Sequence, residues 1–196
     1  MAFWAEPGIE PKRGYRWIMR LNTNLTALGL GSNLDSYLIK RTSRPSWTLT
    51  ESQHVFLNHT FYYPGRVQYN ELSVQIVDAV EPNGAITLMN MLAAAGYRRP
   101  DAAANADGYQ TVSKAGFGGN VLGIPEIIQL DEAGEEIEKW RFFNAWIKSC
   151  TLGDLDYTSD DLLNVDMVIR YDYFQIGAGQ SEHAPAASGI HATWRP

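Results

Sequence analysis

Apolar and polar positions alternate most cleanly near the end of the chain. Leu163, Val165, Met167, Ile169, Tyr171 and Tyr173 fall on one face of an extended backbone. Asn164, Asp166, Arg170 and Asp172 fall on the other, with Val168 the apolar exception. A period of two over this length predicts one long strand, Leu162–Tyr173, with a buried face. Slipping its pairing by one residue would turn that whole face to water, so the register is strongly specified.

Shorter stretches repeat the pattern. Tyr15, Trp17, Met19 and Leu21 alternate with Arg16, Ile18 and Arg20, which predicts a first strand. Ser36–Thr42 reads as a short strand and Ser46–Leu57 as a longer one, rich in β-branched and aromatic residues. Asn58-His59 is a turn candidate; His59–Tyr63 extends the sheet, and Pro64-Gly65 signals a turn. Leu72, Val74 and Ile76 mark another half-buried strand. Glu126–Leu130 and Glu135–Ile147 predict a hairpin around Asp131–Gly134. Between these runs the period changes. Leu88, Met91, Leu92 and Ala95 sit at helical spacing, with Asn83 as N-cap and Gly96 as stop, so Gly84–Ala95 reads as a helix. Its apolar stripe is a core face.

Three segments lack periodicity. Residues 1–14 read as a Pro- and Gly-containing extended arm, 97–124 as a long loop or insertion, and 175–196 as a flexible tail. The folded unit is then 15–174. Strands, one helix and more strands imply a mainly β (α+β) domain, a sandwich or barrel of antiparallel strands with one packed helix.

Composition narrows the options. Six Trp and ten Tyr in 196 residues favour sheets and large interfaces over disorder. The single cysteine, Cys150, excludes a disulfide framework. No apolar run reaches transmembrane length, and the opening MAFWAEPGIEPKRGYRW lacks the charged-then-apolar order of a signal peptide. The net charge of −6 is uneven. Residues 1–100 carry ten Lys/Arg and seven Asp/Glu, a balance of +3; residues 101–196 carry six and fifteen, a balance of −9. That asymmetry fits solvated loops, or two oppositely charged surfaces that meet in an assembly. The acidic total speaks against gripping nucleic acid by its phosphates.

Candidate chemistry is thin. Asp154, Asp156, Thr158 and Asp160 have the spacing of a calcium loop, but Ser159 and Val165 stand where it needs Gly and Glu. An Asp/Ser-rich connection bonding its own backbone is the better reading. His54, His59, His183 and His191 show no metal-binding spacing. Gly116-Phe-Gly118-Gly119 matches no phosphate-binding fingerprint. Cys150 has no neighbouring His or second Cys. Glu132, Glu135, Glu136 and Glu138 surround a hairpin turn, where a solvated face explains them. Trp140, Phe142 and Trp146 could stack sugars or bases, although burial in a core or subunit interface accounts for them more simply. Neither a catalytic residue, a cofactor nor a metal is therefore expected.

The run Trp140–Tyr173, WRFFNAWIKSCTLGDLDYTSDDLLNVDMVIRYDY, resembles the C-terminal end of tail tube proteins of contractile-tailed bacteriophages. Phe142–Ile147 corresponds to an aromatic strand ending in a turn, Gly153–Asp161 to an Asp/Ser-rich loop, and Leu162–Tyr173 to the closing strand. Tyr15–Leu21 and Tyr63–Val77 sit where that family has its first strand and a Gly-Arg turn leading into a strand. The resemblance follows element order over most of 10–174.

It implies a phage tail-tube-like fold shared with the type VI secretion tube subunit, and a structural role. Rings, six-membered in that family, stack into a hollow tube inside a sheath, and the genome is ejected through it. Implied partners are further copies of the chain, the tail sheath protein, baseplate and tail-terminator proteins, and double-stranded DNA that passes without specific binding. The implied location is the virion tail, assembled in the host cytoplasm. On this resemblance Asp166, Asp172, Glu136 and Glu138 are expected to face the lumen. Trp4, Tyr15, Trp17, Trp47, Tyr62 and Tyr63 are expected at subunit interfaces. Baseplate tube-initiator and tail-terminator subunits would carry similar strands. A monomeric β-sandwich that binds a carbohydrate or other ligand uses the same residue types.

Overall fold

A computed structural model of the chain describes residues 11–21, 23, 25, 34, 36–98 and 111–178. Trp4, most of the 1–14 arm, residues 99–110 of the expected loop and residues 179–196 of the expected tail lie outside these described residues.

Among the described residues, ten strands form three sheets. The first sheet holds β1 (Trp17–Arg20), β6 (Glu126–Leu130), β7 (Glu136–Phe143) and β10 (Tyr173–Ala178) in the order β1-β6-β7-β10. The second holds β2 (Ile39–Thr42), β5 (Leu72–Val77), β8 (Trp146–Leu152) and β9 (Asn164–Arg170) in the order β2-β5-β9-β8. All pairings are antiparallel. The third sheet is a two-stranded hairpin of β3 (Trp47–Phe56) and β4 (His59–Tyr69).

The two four-stranded sheets share one core. Met19, Ile127, Trp140 and Phe142 from the first meet Leu72, Val74, Ile76, Val165, Met167 and Ile169 from the second. The mainly β sandwich with a packed helix stands as expected. Helix α1 spans Gly84–Ala94, one residue short of the predicted end. Asn83 caps it, its side chain accepting from the Ile86 N–H at 2.9 Å. Leu88 and Met91 are buried.

Three expectations need correction. The predicted strand Leu162–Tyr173 breaks at Tyr171–Asp172: β9 belongs to the second sheet and β10 to the first, and β10 continues to Ala178, inside the segment read as tail. The predicted strand Glu135–Ile147 likewise breaks at Asn144–Ala145, where β7 of the first sheet gives way to β8 of the second. The alternation also puts Tyr173 on the buried face, but past the corner Tyr173 is exposed and Phe174 packs on the core. Pro64-Gly65 is the third case. It lies within β4, and the turn is at Leu57-Asn58. Part of the expected loop is also folded: a helical turn, Lys114–Gly116, runs into a π turn, Phe117–Val121, and buries Phe117, Val121 and Leu122.

Candidate assembly surfaces

The hairpin β3–β4 leaves both of its faces open to solvent. Its strands are long, yet almost every residue on both faces is exposed. Phe56 is 62% exposed, Leu57 84%, Tyr62 62% and Trp47 55%, with Leu49, Val55, Phe61, Tyr63 and Val67 also open. An isolated two-stranded ribbon is marginal in water. A ribbon with apolar residues on both sides marks an interaction surface.

Its geometry is specific. A register shift sets Gly65 and Arg66 against Thr50, forming a bulge. Thr50 Oγ1 accepts from the Arg66 N–H at 2.7 Å. A Cβ on Gly65 would lie 2.3 Å from Thr50 Oγ1 and 2.8 Å from its carbonyl oxygen, so only glycine fits.

The second surface is the polar face of the second sheet. Paired positions Arg41–Gln75, Gln75–Asp166 and Thr151–Asp166 form one row across all four strands. Gln75 Nε2 donates to Asp166 Oδ1 at 3.0 Å. Asp154, Asp156 and Asp161 of the connection 153–163 line one open pocket with Gln75 and Asp166. Asp156 Oδ1 accepts from the Thr158 N–H (2.9 Å) and hydroxyl (2.8 Å), and these bonds hold its carboxyl below the ordinary value. Among the described residues, no group of three or more His, Cys, Asp or Glu is placed to hold a metal ion. No described helix is long and apolar enough to cross a membrane.

The expected lumen residues lie in three places. Asp166 is on the second sheet. Glu136 and Glu138 are on β7 of the first sheet, where Glu136 pairs with Lys139 at 3.0 Å and Glu138 with Lys12. Asp172 does not share a face with Asp166, because the chain changes sheets between them. It sits at the corner instead. Its carboxylate accepts from Lys114 Nζ (2.7 Å to Oδ1) and from Asn144 Nδ2 (2.8 Å to Oδ2), and its N–H donates to the Phe143 carbonyl at 3.1 Å. The bonds from Lys114 and Asn144 hold the Asp172 carboxyl below its ordinary value. Asp172 thus ties together both corners at which the chain changes sheets.

Of the expected interface residues, Trp47, Tyr62 and Tyr63 gather on the hairpin. Tyr15 stands open before β1, with the Arg16 guanidinium 5.7 Å from its ring, whereas Trp17 is half-buried against the core. Sequence reasoning missed the full length of β4. The signal was there: beyond Pro64-Gly65, Val67 and Tyr69 continue to alternate with Arg66 and Gln68. The Arg44 guanidinium lies 5.2 Å from the Trp140 ring at the hairpin root. No sequence period encodes that contact.

No family model matches the chain. No curated protein matches it in sequence. Solved structures do. A chain of the cryo-EM structure of the anti-feeding prophage (AFP) baseplate, 6-fold symmetrised, superposes with a TM-score of 0.57 at 18% identity, covering 86% of this chain and 96% of that one. The AFP tube-terminating cap gives 0.57 at 18%, covering 91% and 100%. The sheath-tube complex of PVC, an extracellular contractile injection system, in its extended state gives 0.55 at 17%, covering 86% and 92%. The chain has a tail-tube-like fold.

Proposed function

We propose that this chain is the repeating structural subunit of a contractile-tail tube. The observation that carries the proposal is the hairpin, a long ribbon that exposes apolar residues on both faces and would leave them wet in a monomer. A monomeric ligand-binding sandwich has no use for it. In the proposed particle the second sheet joins edge to edge with those of neighbouring copies to close a ring. The hairpin reaches the next ring and stacks rings into a tube. Head-to-tail contacts of this kind close by rotation within a ring and run open along the axis.

Joining sheets turns the polar face of the second sheet toward the channel and its apolar face toward the core. Asp166 and the 153–163 carboxylates then make the wall net negative. Of the four acids expected there, Asp166 remains on this wall in our proposal. Six copies of a four-stranded sheet would supply about 24 strands, ~4.8 Å apart and tilted by ~40°, enclosing a circle roughly 50 Å across at the backbone. That width leaves an aqueous channel. DNA phosphates crossing it would be repelled only near the wall, since screening acts over about 10 Å at 0.1 M salt. The proposed partners are sheath, baseplate and terminator proteins, and the proposed setting is a virion tail. A tube-initiator or terminator role keeps the same ring but stacks on one side only.

The test is a hairpin truncation that joins Trp47 to Tyr69, which face each other at its root, through a short turn. The variant should stay folded by circular dichroism and sediment as single rings or smaller species while the parent sediments as tubes. Tubes of parental length from the truncated chain would refute the stacking role.

A further inference from the structure

The second sheet has two free edges with opposite chemistry. Among the described residues, neither β2 nor β8 makes a backbone hydrogen bond on its outer side. Beside β2, Lys40 and Arg41 lie in a bulge opposite Gln75, exposed and without an ion-pair partner among the described residues. Beyond β8 the chain enters the connection that carries Asp154, Asp156, Asp160 and Asp161, all exposed. Alongside β8 runs an apolar groove of about 330 Å³, walled by Leu88, Met89, Leu92, Phe117, Ile147 and Leu152. Two residues before β2 stands Tyr37, 75% exposed.

We infer that β8 is a docking edge for β2 of a second copy of this chain, with Tyr37 entering the α1–β8 groove and Lys40 and Arg41 meeting the Asp154–Asp161 loop. This rests on the tube reading and names the seam it requires. Strand direction supports it. Four strands that alternate in direction leave β8 running opposite to β2. Rotation about a ring axis preserves β2's sense in the next copy. The seam is therefore antiparallel, the same ladder as within the sheet, and no strand has to reverse. Antiparallel pairing also carries the chain preceding β2 past Leu152, which brings Tyr37 to the groove. On the polar face Arg41 continues the row Thr151–Asp166–Gln75 of its neighbour, so each cation meets an acidic loop once around the ring. The charge asymmetry of the sequence becomes a pairing rule that blocks β2–β2 and β8–β8 contacts.

Cys150, the one cysteine, lies exposed on β8 and supplies the test. Its partner Met167 and Thr42's partner Val74 are both buried, so Cys150 and Thr42 share the core-side face. Full-length chains carrying Thr42→Cys, Arg41→Cys or Arg44→Cys are treated with an oxidant and with a short bis-maleimide. Directly opposed residues of such a seam sit ~4.5–5.5 Å apart, within disulfide reach. We expect a ladder of covalent oligomers that stops at one ring size, strongest for Thr42→Cys and abolished by Cys150→Ser. Rings visible by electron microscopy without a ladder at any of the three positions would overturn the seam alone. No rings and no ladder from the parent would overturn the tube reading with it. Lys40→Glu with Arg41→Glu should block rings at low salt, and adding Asp154→Lys with Asp156→Lys should restore them. Tyr37→Ala should raise the concentration at which rings form by about tenfold, with Tyr37→Phe close to the parent. Rings indifferent to charge reversal would remove Lys40 and Arg41 from the seam, and rings indifferent to Tyr37→Ala would remove the anchor.

Discussion

Gly65 is the residue on which the hairpin's shape turns. Its missing Cβ lets Thr50 approach and bond Arg66. Gly65→Val should unpair the ribbon around the bulge and leave the sandwich intact. An unchanged melting temperature with lost tube formation is the expected pair of results, read by calorimetry and sedimentation. In the core, Phe142 is fully buried and meets Tyr171 edge-on at 4.9 Å. Phe142→Ala should cost about 3–5 kcal/mol in denaturant melts. Tyr171 is different. Its buried hydroxyl has no hydrogen-bond partner among the described residues. Tyr171→Phe removes a polar atom from an apolar cluster, so its stability should stay within about 1 kcal/mol of the parent or exceed it.

At the scale of elements, the double corner joins the two sheets through Asp172. Asn144 has φ 54°, a left-handed conformation that Asn tolerates and β-branched residues resist. Its amide and Lys114 both bond Asp172. That carboxyl has a folded pKa below its unfolded one, so its contribution to stability is present above the ordinary carboxylate range. It is lost as the pH falls through the lowered folded value. Asp172 is partly exposed, so the contribution is ~0.2–1 kcal/mol. The stability gap between parent and Asp172→Asn should be present at pH 6 and shrink through the acid range, as urea melts at successive pH values would show. The corner also marks where the sequence stopped being legible. Alternation located strands such as β5 and β9, because each has one buried face. It could not say that Tyr171–Asp172 and Asn144–Ala145 are junctions: the sequence alternation runs on to Tyr173, whereas in the fold Tyr173 is exposed, Phe174 packs on the core and the hydrogen-bond partners change. Pro64-Gly65 misled for a related reason. A turn dipeptide and a bulge use the same residues, and only the strand opposite distinguishes them. Helix α1 was legible to within one residue because Asn83 and Gly96 bracket it chemically.

At the scale of the whole molecule, the exposed hairpin and the two chemically opposite sheet edges describe an unfinished surface. Its composition was readable as a wealth of aromatics and a basic first half set against an acidic second half. Their placement was not, because which aromatics stay outside is decided by a ribbon that, among the described residues, meets the core only at its root, through Tyr69. On the tube proposal, copies of this chain complete one another as stacked rings. The most direct measurement is negative-stain electron microscopy of the purified full-length protein across a range of concentrations. Hollow rings with a stain-filled centre, stacking into tubes as concentration rises, are the predicted result. A uniform field of small particles, monomeric by sedimentation at every concentration, would contradict it.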